Sequence, residues 1–107
     1  MSYSVEYHVD AEKDRAALDA SVRNQVDRAI IKVSQNPLPK SEGGYGTPLG
    51  HKGGKNLTGL CRIKLLKLGI RVVYKIIREG EKMKIIVIAA RADGEVYDIA
   101  AERNEMV

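Results

Sequence analysis

The first stretch of the chain, Tyr3-Ser4-Val5-Glu6-Tyr7-His8-Val9, alternates apolar and polar positions for seven residues. A period of two belongs to a half-buried strand, so the chain is predicted to open on one. Asp10 then offers an N-cap to a short helix over "AEKDRAALD", and Ser21 caps a longer one ending near Asn36-Pro37. In the second helix Val22, Val26, Ala29, Ile30 and Val33 recur at helical spacing and make one apolar stripe. The two are expected to form an antiparallel hairpin laid on a sheet.

From Pro37 to Asn56 the apolar period stops, and glycine stands at 43, 44, 46, 50, 53 and 54. This stretch, glycine-rich over 41–56, reads as a long mobile loop. Its glycines do not make a phosphate cradle: Gly44-Tyr45-Gly46 lacks the third glycine of a dinucleotide fingerprint, and no Gly-Lys-Ser/Thr triplet follows. Strand patterns then return at Leu60 to Leu66, Ile70 to Arg78 and Met83 to Arg91, separated by short turns. Connections this short imply an antiparallel meander. Gly94-Glu95 and "VYDIAAERNEMV" close the chain as a short polar helix. The order predicts an α+β fold: an N-terminal strand, a two-helix hairpin, a three-stranded antiparallel meander covered on one face, and a short C-terminal helix.

A chain of 107 residues has room for one core, so residues 1–107 are read as a single domain. With no Trp or Phe, that core must be aliphatic. No leader-like apolar run opens the sequence and none is long enough to span a bilayer, so a cytoplasmic protein without a membrane partner is expected. The single cysteine, Cys61, excludes an intrachain disulfide and a cysteine-only metal site.

Charge changes the picture. Residues 51–91 hold eleven Lys/Arg against two Asp/Glu, giving +9, while residues 92–107 hold one against five, giving −4. A strongly basic central block is the footprint of a polyanion site. Strand alternation sorts its cations by face. Arg62 and Lys64 share a face opposite Ile63 and Leu65, and Arg71 and Lys75 share one opposite Ile70, Val72 and Tyr74. If helices cover the apolar face, these cations stand together on the open one. Like charges on adjacent strands cost stability unless an anion lies between them.

Leu60-Cys61-Arg62-Ile63-Lys64-Leu65, Gly69-Ile70-Arg71-Val72-Val73-Tyr74, Ile86-Val87-Ile88 leading to Arg91, and Glu95-Val96-Tyr97 form an ordered set. With the early strand and the helical hairpin, this set resembles the RelE family of bacterial toxin-antitoxin systems over nearly the whole chain. The resemblance implies a RelE-like, microbial-ribonuclease-type fold and a ribosome-dependent endoribonuclease that cuts messenger RNA. It carries the family's functional cations onto Arg62, Lys64, Arg71 and Arg91, and its catalytic tyrosine onto Tyr97. It also implies a cognate antitoxin as partner, the ribosome and mRNA as targets, and DNA contact only indirectly through the antitoxin complex.

RNA transesterification needs the 2′-hydroxyl deprotonated, the phosphorane stabilised and the 5′-oxygen protonated, with no metal or other cofactor. His8 and His51 lie outside the basic cluster and read as strand and loop residues. A tyrosine can replace a histidine base where neighbouring cations stabilise a phenolate. The expected roles are therefore Tyr97 as base, Lys64 and Arg71 on the phosphorane, Arg62 as a backbone clamp and Arg91 near the leaving oxygen. Lys67 and Lys75 are expected to attract RNA from the rim. Tyr74 reads as packing, and Tyr45 as a loop residue able to stack on a base. Two other classes remain compatible with the fold: a ParE-like inhibitor of DNA gyrase, and a noncatalytic RNA-binding module.

Overall fold

The structure is a computed structural model and describes residues 2–52 and 55–105. Its elements are β1 (Ser4–Tyr7), α1 (Val9–Ala16), α2 (Ala20–Ser34), a 3-10 turn (Lys40–Glu42), β2 (Thr47–Lys52), β3 (Lys55–Leu65), β4 (Ile70–Ile77), β5 (Lys82–Ala89) and α3 (Asp93–Glu105). The five strands form one sheet in the order β1-β5-β4-β3-β2. The predicted meander is β3-β4-β5, antiparallel throughout, and β1 joins β5 in parallel. The α+β class and element order stand, on a sheet wider than expected. Among the described residues no helix is long and apolar enough to cross a membrane.

Both early helices begin elsewhere than predicted, for one reason. The capping residue lies two positions before the backbone N–H it satisfies, so it is found before the first polar residue of the helix. His8 follows β1 in an extended conformation as the N-cap of α1, and its Nδ1 accepts from the Asp10 N–H at 3.1 Å. It is buried. Asp19, not Ser21, caps α2 by accepting from the Ser21 N–H at 3.2 Å.

The sheet packs on both faces. On one, α1 and α2 bring Ala11, Val26, Ile30 and Val33 against Cys61, Ile70, Val72, Tyr74, Met83, Ile85 and Ile88. On the other, Val96, Tyr97 and Ala100 of α3 pack with Leu57, Leu60, Val73, Ile86 and Val87. The face expected to lie open is thus partly roofed by the last helix. A bulge explains the unbroken apolar run in β5. Register steps from Val73↔Val87 to Tyr74↔Ile85, so Ile86 is the extra residue and joins Val87 in the α3 layer.

Among the described residues, no strand covers the outer edge of β5 beyond Ile85. Two side chains take its place: Arg103 of α3 donates to the Ile86 carbonyl at 2.9 Å, and Asp14 of α1 accepts from the Ile88 N–H at 3.1 Å. Arg103 and Asp14 also pair with each other at 2.7 Å. This bridge ties the helices of opposite faces together around the sheet edge and fixes α3 in place.

The expected loop is the main correction. Residues 47–52 form β2, β3 starts at Lys55, and the chain before them is held by its own backbone. Tyr45 N–H donates to the Asn36 carbonyl at 2.9 Å, Gly46 N–H to Leu38 at 2.9 Å and Lys40 N–H to Gly46 at 2.9 Å. The buried Tyr74 hydroxyl donates to the Pro37 carbonyl at 2.8 Å, and burial pushes its ionisation far above the ordinary tyrosine value. Arg78 clamps Glu42 with two hydrogen bonds of 2.9 and 2.7 Å. Glycine suits this segment because backbone approaches backbone: a Cβ on Gly44 would lie 2.0 Å from the Leu38 carbonyl oxygen, and one on Gly46 2.8 Å from that of Pro37. Glycine content here signals close packing rather than freedom.

Candidate active site

Arg62 and Lys64 leave β3, and Arg71 leaves β4, on the α3 face of the sheet, as strand parity predicts. Lys64 pairs in register with Arg71, and Arg62 with Val73. Two cations directly opposite one another are unfavourable unless compensated. The chain supplies the compensation itself from Asp93, the first residue of α3. Its carboxylate accepts a hydrogen bond from Arg71 Nε, and lies 3.1 Å from Lys64 Nζ and 3.8 Å from Arg62 Nη1. The hydrogen bond from Arg71, with Lys64 beside it, holds the Asp93 carboxyl below its usual range against the opposing effect of desolvation.

Tyr97 lies one helical turn after Asp93 and therefore on the same side of α3. Its oxygen accepts from Arg62 Nη1 at 2.5 Å, while its ring is 6% exposed within the α3 core. One helix face thus presents a carboxylate and a phenol to three cations from two strands. Each cation keeps about a quarter to a third of its side chain exposed, at 25% for Arg62, 32% for Lys64 and 24% for Arg71. The cluster is open enough to meet a ligand and close enough to concentrate charge.

The remaining predicted residues are placed differently. Arg91 contributes its backbone, its carbonyl accepting from Arg71 Nη1 at 2.8 Å. Its side chain is 60% exposed and reaches Glu95 at 3.3 Å, pointing along the helix rather than into the cluster. Lys67 is exposed on the turn after β3, beside an apolar groove lined by Gln25, Leu65, Leu66 and Leu68. Lys75 shares the face of Arg71 but sits four residues further along β4, opposite Lys84, roughly 13 Å away by strand rise. His8 lies under α1, away from the cluster, and His51 falls among the positions whose side chains are not described.

Asp93 was missed because a carboxylate does not belong among the expected functional cations. The signal was the −4 segment directly after the +9 one, which places acid where it can fold back on the basic face.

No protein-family model matches the chain. A RelE-like toxin protein of Escherichia coli is 29% identical over 104 residues, covering 96% of this chain and 98% of its own. The mRNA interferase toxin RelE of Escherichia coli strain K12 is 28% identical over 103 residues, with the same coverage of 96% and 98%. Among solved structures, an E. coli toxin RelE mutant with two arginines changed to alanine, in the free state, superposes with a TM-score of 0.74 at 25% identity. That match covers 96% of this chain and 98% of the other. The same mutant in complex with an antitoxin RelBc peptide gives a TM-score of 0.68 at 25% identity, covering 94% and 95%.

Proposed function

The chain belongs to the RelE toxin family, and from that premise we propose that it is the toxin of a type II toxin-antitoxin pair. Its reaction is the endonucleolytic cleavage of messenger RNA on the ribosome, which stops translation. The observation that carries this reading is the convergence of Arg62, Lys64 and Arg71 on one anion beside the Tyr97 hydroxyl. A scissile phosphate in the position of the Asp93 carboxylate meets the same three cations.

The chemistry is transesterification. The ribose 2′-oxygen attacks phosphorus, its proton passes to the Tyr97 oxygen acting as general base, and a 2′-O–P bond forms. Lys64 and Arg71 stabilise the charge that builds on the phosphorane, where fixed cations act most strongly. Arg62 holds the Tyr97 oxygen and the RNA backbone. The P–O5′ bond then breaks, leaving a 2′,3′-cyclic phosphate and a 5′-hydroxyl. Arg91, once released from the exposed Glu95, reaches the leaving oxygen, and Lys64 is the better proton donor because a guanidinium gives up a proton reluctantly. Lys67 and Lys75 add long-range attraction for RNA.

An acidic cognate antitoxin covers the basic face until the toxin is needed, and any DNA contact runs through that antitoxin. The site of action is the cytoplasm, where messages are translated.

The test is to induce the wild type, Tyr97→Phe and a Tyr97→Phe, Arg91→Ala double variant in cells, and to map message 5′ ends with and without translation. New 5′-hydroxyl ends in translated messages are expected for the wild type, reduced about 100- to 10,000-fold in Tyr97→Phe, as for loss of a general base. Equal growth arrest by all three with no new ends overturns the reading, and supercoiling assays then take up the gyrase alternative.

A further inference from the structure

Beside the cation cluster lies a groove of about 270 Å³ lined by Val33, Lys40, Tyr45, Thr47, Arg62, Ile63 and Lys64. Two of its walls, Arg62 and Lys64, belong to the proposed active site. A third, Tyr45, has no core role: it is 50% exposed, among the most exposed large apolar side chains described. We propose that Tyr45 is the stacking platform of a nucleotide subsite next to the scissile phosphate, with Lys40 positioned for the adjoining backbone phosphate. The inference rests on the RNA-cleaving reading and extends it to the flanking nucleotide.

Three observations carry it. First, Tyr45 is presented rigidly. The glycines on either side cannot be replaced without collision, since a Cβ on Gly44 would clash with the Leu38 carbonyl and one on Gly46 would lie 2.5 Å from the Tyr74 oxygen. The Tyr45 N–H is bonded to Asn36, and the segment is further tied to β4 through Tyr74 and Arg78. A segment fixed this firmly around one outward-facing aromatic ring has already lost the entropy that stacking would otherwise remove.

Second, the surroundings suit a nucleotide. Lys32 Nζ lies over one face of the Tyr45 ring, 5.6 Å from its centroid, so a base would stack on the opposite face, and Lys40, Arg62 and Lys64 add positive charge along the groove. An aromatic ring set in a cationic channel is the common arrangement for unpaired bases, whose π-faces stack without regard to sequence.

Third, the spacing fits. Tyr45 lines the same groove as Arg62 and Lys64, and Thr47, two residues after it, pairs in register with Arg62. The ring therefore neighbours the phosphate cluster.

The experiment uses the full chain and a series of five-nucleotide RNAs, fully 2′-O-methylated so that no attacking 2′-hydroxyl is present. In successive members one base is replaced by 2-aminopurine or removed to leave an abasic unit. Affinity is read by anisotropy, stacking by 2-aminopurine quenching, and folding of each variant by circular dichroism. Tyr45→Ala is expected to weaken binding about 5- to 100-fold, with Tyr45→Phe close to wild type. The loss should vanish on the one RNA whose abasic unit occupies the subsite. Wild-type affinity in a folded Tyr45→Ala, an equal loss on every abasic RNA, or no binding by the wild type overturns the proposal. Because these RNAs cannot be cut, a stacking subsite found here stands even if no new 5′ ends appear in cells, and cleavage in cells stands even if this subsite fails.

Discussion

Replacing Asp93 by asparagine keeps the size and shape of the side chain and removes the anion that Arg62, Lys64 and Arg71 share. The native carboxylate holds one charged hydrogen bond with Arg71 and a close pair with Lys64 at 3.1 Å, at 37% exposure. Charge-assisted hydrogen bonds contribute about 1.5–3 kcal/mol and exposed ion pairs about 0.2–1 kcal/mol. Discounted for exposure, the carboxylate holds the cations with roughly 1–2 kcal/mol, which any incoming phosphate must displace. Asp93→Asn should therefore bind uncleavable RNA about 5- to 30-fold more tightly. Its stability should move the other way by about 1 kcal/mol, a fall of roughly 4–8 °C in Tm, because three cations lose their partner. Anisotropy titration with 2′-O-methyl RNA and thermal melts by circular dichroism measure both. A folded Asp93→Asn that binds RNA no better than wild type would show that the phosphate does not take the place of the carboxylate.

Acid unfolding offers a second check. Asp93 and Asp27 are held below their ordinary 3.8 by hydrogen bonds from Arg71 and Arg15. Depressed values mean that their stabilisation is complete above that pH and is lost as pH falls through the lower folded values, so melts should steepen below about pH 4. Asp93→Asn should flatten that limb. Asp14→Ala removes one partner of a pair that is only 22% and 16% exposed and frees the Ile88 N–H, so about 2 kcal/mol should go, read as roughly 8–15 °C in Tm. A change of under about 2 °C would mean that the edge of β5 is held by something else. Gly46→Ala crowds the Tyr74 oxygen and the Pro37 carbonyl, an overpacking cost of about 1–3 kcal/mol in a denaturant titration. Unchanged stability there would contradict a tightly held segment before β2.

Strand parity was the part of the site most readable from sequence. Arg62, Lys64 and Arg71 emerge on one face because alternate residues must, and the register then sets Lys64 against Arg71. Tyr97 could be named only through the family resemblance, since its hydroxyl reaches Arg62 across thirty-five positions of sequence. The bulge at Ile86 could not be seen in a run of consecutive aliphatic residues, where period two and full burial look alike. The segment before β2 misled because glycine, the usual mark of a loop, is required here by close backbone approach to Leu38 and Tyr74. The role of Arg91 was carried by position alone, and its side chain pairs at the surface with Glu95, four residues on.

Helix α3 carries Asp93, Tyr97 and Arg103, and in chain order it follows every strand of the sheet. Chains emerge from the ribosome N-terminus first, at about 5–20 residues per second. The strands bearing Arg62, Lys64 and Arg71 are therefore made before the phenol they work with, and before the arginine that seals β5. Until α3 has emerged, the layer of Leu60, Val73 and Val87 has no roof and the cations have no tyrosine beside them. Order of synthesis thus brings the Tyr97 hydroxyl to Arg62 only after the strands that carry the three cations have been made.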